Sequence, residues 1–195
     1  MLGQAVDSGE CDRCIEEFDY TICQLSQPEI RIRDLAQIYA RAYQNYPEYA
    51  DTGGRDIQGY LEDLWEKCPD GFLVAENKGE ILGFIVVDKC YRIHKGKPVG
   101  EIQEIVVDGR HQGRKIGPRL LDAGIRRLES SGLQKIGLWV GKHNKPAQAL
   151  YDKYGFRSIY TVHQWVRMER RGKLPRGITA SLDRYKPKQH NLAAS

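Results

Sequence analysis

Hydrophobic positions along the 195-residue chain switch between two spacings, and the switches predict its elements. Residues 1–18 are polar and irregular and read as a flexible lead-in. Tyr20 to Leu25 reads as a strand. Ser26-Gln-Pro-Glu29 has capping-box spacing, and Leu35, Ile38, Tyr39, Ala42 and Tyr46 carry a helical period that Pro47 closes. After the Asp51-Thr-Gly-Gly54 loop, Ile57, Tyr60, Leu61, Leu64 and Trp65 mark a second amphipathic helix, stopped by Pro69-Asp-Gly71. Phe72 to Glu76 and Ile81 to Tyr91 read as strands joined at Asn77-Lys-Gly79, a hairpin signal whose loop has two residues or more. There follow a strand at Ile102 to Val107, a helix through Leu128, a strand from Lys135 to Val140, a helix at Ala147 and a strand-like segment from Tyr160 to Met168. The order β-α-α-β-β-β-α-β-α-β has no internal repeat and predicts one α/β domain on a mixed sheet.

Composition narrows the class. Hydrophobic residues make up 41% and charged residues 29%, ordinary for a globular domain, and no apolar run approaches a membrane span. The first ten residues lack a basic start followed by an apolar stretch, so a cytoplasmic protein is expected. Net charge is +4, but from Glu169 onward seven Lys and Arg face only Glu169 and Asp183, a surplus of five. The preceding residues therefore carry about −1, and the domain is not a basic nucleic-acid binder. The basic extension at 169–195 lacks the interleaved aromatics that stack bases. Cys11, Cys14, Cys23, Cys68 and Cys90 are an odd number without framework spacing, which favours reduced thiols. Cys11-Asp-Arg-Cys14 has no second pair and no nearby His, so no metal is expected.

Chemistry concentrates after the fourth strand. Glu101-Ile-Gln-Glu-Ile-Val-Val107 runs into Asp108-Gly-Arg-His-Gln112-Gly113-Arg114-Lys115-Ile116-Gly117, and Pro118 opens a helix. A strand–turn–helix of this kind aims free backbone N–H groups, a helix dipole and basic side chains at one point, which suits a pyrophosphate. Walker spacing is absent: Arg114 lies five residues after Gly109, and Ile116 follows Lys115. No Gly-x-Gly-x-x-Gly follows a strand either.

The remaining pattern, Gln112-Gly-Arg-Lys115-Ile-Gly117, resembles the acyl-CoA pyrophosphate loop of the GNAT (Gcn5-related N-acetyltransferase) superfamily, Arg/Gln-x-x-Gly-x-Gly/Ala. Lys115 stands where the first Gly is usual, a strained choice if that position needs positive φ. Asn144-Lys-Pro-Ala147-Gln-Ala-Leu150-Tyr151-Asp-Lys-Tyr154-Gly155-Phe156 is similar to the family's second motif at every fixed position. Its spacing also has a local reading. Ala147, Leu150, Tyr151 and Tyr154 form one helical stripe, Asn144 sits where an N-cap belongs, and Gly155 where a helix ends. The resemblance covers residues 20–168 and implies the GNAT fold, a mixed central sheet with helices on both faces. The expected organisation is a lead-in at 1–18, an acetyltransferase domain at 19–168 and a basic extension at 169–195.

The resemblance implies N-acetyl transfer from acetyl-CoA, as co-substrate, to a primary amine by direct attack in a ternary complex. It implies that the Ile105, Val106 and Val107 backbone holds the pantetheine arm, and that Gln112, Gly113, Arg114, Lys115, Ile116, Gly117 and Pro118 hold the pyrophosphate. Asn144 would bond the pantetheine amides, and Tyr151 would donate to the departing thiolate. A base must take the amine's proton, and Glu101 and Glu104 are the candidates. Their odd separation places them on opposite faces of a regular strand, whereas a bulge would change that parity. No Cys lies where a ping-pong acyl carrier would be needed. Family resemblance further implies that the first two helices and the last strands wall the acceptor. That region carries Tyr39, Tyr43, Tyr46, Tyr49, Tyr60 and Trp65, with Asp51, Asp56, Glu62 and Asp63 nearby, which suits a cationic amine. Protein N-termini, lysines and small amines all remain open as acceptors, as does a homodimer. The alternative is a non-catalytic acyl-CoA-binding regulator of the same fold.

Overall fold

The computed structural model describes residues 18–25, 28–44, 47–50, 52–91 and 98–173. Seven strands form one sheet in the order β1-β2-β3-β4-β5-β7-β6. They are β1 (Thr21–Gln24), β2 (Phe72–Asn77), β3 (Glu80–Tyr91), β4 (Val99–Val107), β5 (Lys135–Gly141), β6 (Arg157–Val162) and β7 (Trp165–Arg171). Four helices accompany them: α1 (Pro28–Tyr43), α2 (Ile57–Lys67), α3 (Ile116–Ser130) and α4 (Lys145–Lys153). Only β4 and β5 run parallel, because α3 crosses over between them; every other pair is antiparallel.

Each face of the sheet has its own core. Ile32, Leu35, Ile38 and Tyr39 of α1 and Leu61 and Leu64 of α2 bury against Val74, Phe84, Val86 and Val106 on one side. Ile116, Leu120, Leu121, Ile125 and Leu128 of α3, with Tyr151 of α4, bury against Ile85, Val87, Ile102, Ile136 and Leu138 on the other. The expected layering of helices on both faces is thus present.

Local signals explain most boundaries. Asp56 caps α2 by accepting a 2.7 Å bond from the Gly59 N–H. The hairpin between β2 and β3 closes with two residues, Lys78 (φ 48) and Gly79 (φ 87), the positive pair that a tight primed turn needs. Helix α4 ends in a Schellman arrangement, with Gly155 N–H donating to Asp152 and Phe156 N–H to Tyr151. Ser26, Tyr46, Asp51, Cys11 and Cys14 lie outside the described residues.

Two expectations change. The segment from Tyr160 to Met168 is not one strand; it is the greater part of a hairpin, β6 and β7, turning at His163-Gln164. That turn contains no Gly, Pro or Asn, and His163 itself takes the left-handed conformation (φ 51), so the usual punctuation is missing. Strand β7 also continues to Arg171, past the expected end at 168, and Arg170 pairs with Glu129 of α3 at 3.0 Å. Among the described residues, no helix is long and apolar enough to cross a membrane.

Candidate active site

Strands β4 and β5 pair only at Gly100–Ile136, Glu101–Gly137 and Ile102–Leu138. Beyond Ile102 they diverge, so the β4 backbone from Gln103 to Val107 has no strand partner on that side. The opening forms a channel of about 120 Å³ walled by Ile105, Leu138, Val140, Asn144 and Ala147, with Glu104 on one wall and Tyr151 on another.

At one end lies the turn into α3. Its residues enclose a concavity of about 300 Å³ lined by Val107, His111, Gln112, Gly113, Lys115, Ile116, Gly117 and Pro118. Among the described residues no acceptor takes the N–H groups of Gly113, Ile116 or Gly117. These open donors at a helix N-terminus fit an anionic phosphate group. Lys115 occupies the N-cap with φ 59, the left-handed conformation that the family's glycine would adopt without strain. Arg114, expected among the pyrophosphate-holding residues, is not among those that line this concavity. Its guanidinium donates two 2.6 Å bonds to the Asp19 carboxylate and a 2.9 Å bond to His111 Nδ1. Behind the turn, the fully buried Asp108 accepts from Arg41 of α1 at 2.7 Å and from Arg110 at 2.8 Å. Burial raises the Asp108 carboxyl, but the bonds from Arg110 and Arg41 outweigh it and hold the group well below the usual range.

At the other end lies a chamber of about 390 Å³, lined by Tyr43, Tyr49, Tyr60, Gln103, Glu104, Trp139, Val162, His163 and Trp165. Glu104 accepts a 2.5 Å bond from the Tyr60 hydroxyl and a 3.5 Å bond from Tyr43. Burial, then the Glu104 charge, pushes the Tyr43 hydroxyl well above its ordinary range. The same two causes raise Tyr151, so both phenols keep their protons. Tyr49 can lie flat on the end of β5 because Gly141 is there: a Cβ would stand 2.3 Å from its ring.

The two candidate bases sit differently. Across β3, Val86 pairs with Glu104 and Val87 with Ile102, so Gln103 is an extra residue in β4. Ile102 and Ile105 therefore share the α3 face despite their odd separation. Glu101 and Glu104 share the opposite face for the same reason, not the two faces that a regular strand would give. Glu104 reaches the chamber. Glu101 is buried and bonded to Arg167 Nη1, itself wholly buried. Burial raises the Glu101 carboxyl, and the Arg167 bond only partly offsets it. Arg167 lies over Gly137, where a Cβ would come within 1.9 Å of Nη2, and its guanidinium sits 5.6 Å from the Trp139 ring. Glu101 and Arg167 thus brace Trp139 from beneath.

Of the expected acceptor aromatics, Tyr43, Tyr49 and Tyr60 line the chamber, while Tyr39 is core and Trp65 packs on Phe72. The three expected acids among the described residues have other partners. Asp56 caps a helix, Glu62 accepts from Gln58, and Asp63 pairs with Arg55. Sequence reading missed Trp139, Val162, His163, Trp165 and Arg167. Trp139 had a signal: it interrupts the alternation of Ile136, Leu138 and Val140, so it points away from their core. Asn144 caps α4 by accepting from the Ala147 N–H at 3.2 Å and also borders the channel.

The chain matches the acetyltransferase (GNAT) family over residues 32–156, and it belongs to that family. An uncharacterized N-acetyltransferase of Methanocaldococcus jannaschii is 32% identical over 154 residues, covering 78% of this chain and 67% of the relative. The crystal structure of PH1933 from Pyrococcus horikoshii is 36% identical, covers 80% of this chain and 99% of its own, and superposes with a TM-score of 0.71. PaiA N-acetyltransferase of Thermoplasma acidophilum, solved with coenzyme A, shares the fold at 19% identity and a TM-score of 0.58, covering 78% of this chain and 98% of its own. The protein is therefore a GNAT acyltransferase with that family's coenzyme A-binding architecture. Among the described residues no cluster of His, Cys, Asp and Glu could hold a metal ion.

Proposed function

We propose that this protein transfers an acetyl group from acetyl-CoA to a primary amine by direct attack in a ternary complex. One observation carries the reading: Glu104 and Tyr151 face the same channel, between an open-amide turn and an aromatic chamber. Acetyl-CoA supplies the activated thioester. The Gly113, Ile116 and Gly117 amides receive its pyrophosphate, with Gln112, Arg114, Lys115 and Pro118 shaping the loop. The unpaired β4 edge at Ile105, Val106 and Val107 holds the pantetheine arm as an added strand would, and Asn144 meets it from the opposite wall.

The amine arrives protonated among Tyr43, Tyr49, Tyr60 and Trp139, whose ring faces attract a cation. Glu104, fixed by Tyr60 and Tyr43, accepts its proton; Glu101 serves as the counter-ion of Arg167 instead. A C–N bond then forms and the C–S bond breaks. Of the two protons the ammonium sheds, one ends on the thiolate sulfur and one in solvent. A thiol has a pKa of about 8.5, below that of an ordinary phenol near ~10. Tyr151, raised further, therefore stabilises the thiolate by donating a hydrogen bond while retaining its proton. The free thiols of Cys23, Cys68 and Cys90 fit a reducing compartment such as the cytoplasm.

The test is release of coenzyme A thiol from acetyl-CoA across peptides, polyamines and small amines. Amine-dependent release with formation of the acetyl amide is the expected result. Tight coenzyme binding without release for any amine would leave an acyl-CoA-binding regulator.

A further inference from the structure

Residues 18–20 come just before β1 and are fastened to the turn before α3 at three points. The buried Tyr20 hydroxyl donates a 3.1 Å bond to the Arg114 carbonyl. Asp19 takes the Arg114 guanidinium on both carboxylate oxygens, each at 2.6 Å. In the first turn of α3, the Arg119 guanidinium lies 4.1 Å from the centre of the Phe18 ring and 4.8 Å from that of Tyr20. It also donates to the Tyr20 carbonyl at 3.5 Å, so α3 holds the Tyr20 ring against the turn.

The Tyr20 bond bears on the strained residue that follows Arg114. The 114–115 peptide is trans and planar, so the direction of the Arg114 carbonyl and the φ of Lys115 are set together. With the carbonyl drawn to Tyr20, Lys115 takes φ 59. Half a turn of that one peptide would carry Lys115 into the negative φ region that a lysine prefers. It would also swing the Arg114 oxygen to the side away from Tyr20. Tyr20 belongs to the core under α3 and does not line the concavity, whereas Lys115 does. The swung oxygen would therefore bring partial negative charge toward the concavity, against the N–H groups that suit an anion there. A glycine at 115 would hold a left-handed φ without help, but a lysine keeps it only where its surroundings impose it.

Resting on the reading that coenzyme A binds at this turn, we propose that Tyr20 is a positioning residue for the pyrophosphate. Its hydroxyl locks the 114–115 peptide and so compensates for the lysine at the family's glycine position. Arg114, tied to Asp19, anchors the turn as well.

The test is calorimetry of the full chain with coenzyme A and with dephospho-coenzyme A, which keeps the pyrophosphate and lacks the 3′-phosphate. Tyr20→Phe retains the ring beside Arg119, removes one neutral hydroxyl and leaves the charge at the turn unchanged. It weakens both coenzymes by about 3- to 10-fold. In a Lys115→Gly background the same substitution costs about twofold or less, because the glycine needs no lock. Equal losses in the two backgrounds overturn the proposal, since a tyrosine that merely supports the fold would not sense the residue at 115. Unchanged affinity for both coenzymes overturns it too, whatever urea unfolding shows, and so does a loss confined to coenzyme A, which would place the effect at the 3′-phosphate. Failure of the parent chain to bind either coenzyme would refute the coenzyme reading of the turn itself, and this inference with it.

Discussion

The turn at residues 112–117 and the aromatic chamber are built by opposite strategies. The turn is one contiguous segment, and its ligand-directed groups are main-chain amides whose direction follows from local φ and ψ. The chamber takes Tyr43 from α1, Tyr60 from α2, Glu104 from β4, Trp139 from β5 and Trp165 from β7, with Tyr49 from a short turn. A contiguous amide cradle fixes a constant group such as a pyrophosphate. An assembled wall can change one side chain at a time, which suits the variable partner.

Substitutions test this division, and the largest effect belongs to the chamber. Glu104→Gln keeps the shape but removes the proposed base, and turnover falls by about 10² to 10⁴-fold. Coenzyme binding by calorimetry stays as in the parent, because the turn is untouched. If turnover is unaffected, Glu104 is not the base.

Next comes the brace beneath the chamber. Arg167→Met leaves Glu101 buried without a counter-charge and costs about 3–5 kcal/mol of unfolding free energy. The sign of its pH dependence follows from Glu101, whose folded pKa is already raised. Protonation favours the folded state, so the variant is most stable below the ordinary carboxyl pKa and loses stability as pH rises through the elevated value. Urea titrations at several pH values read this directly; a flat profile would remove Glu101 as the cause.

On the turn, Gly117→Trp fills the concavity beside Val107 and lowers coenzyme affinity by about 100-fold, near 2.7 kcal/mol, with the fold retained by circular dichroism. Tyr151→Phe lies between the two regions. It removes the proposed hydrogen bond to the leaving thiolate and slows turnover by about 10 to 100-fold, with coenzyme affinity preserved. Unchanged kinetics would take that role away from Tyr151. The smallest effect is Lys115→Gly. Relief of the left-handed strain is set against a more flexible unfolded chain, and the net gain is at most about 1 kcal/mol in thermal unfolding. A loss of stability would mean that the lysine side chain supports the turn.

The turn and the second motif were legible because their information is local. Gly113, Gly117, Asn144 and Gly155 are residues whose conformational or capping roles can be read within a few positions. Even the Lys115 anomaly was visible, since the conformation required there is a property of the turn. The hairpin of β6 and β7 escaped notice because His163 carries the turn without a turn residue's signature.

The sequence by itself determined the element order as far as α4, the amide turn before α3 and the helix that carries Tyr151, because each depends on contacts a few residues apart. Only the tertiary structure decided which carboxylate faces the aromatic chamber. One extra residue in β4, Gln103, registered against β3, puts Glu101 and Glu104 on the same face. Arg167, 66 positions away, then claims Glu101, while Tyr60 and Tyr43 hold Glu104 toward the chamber. Strand register and long-range pairing are collective, and no short window of residues contains them.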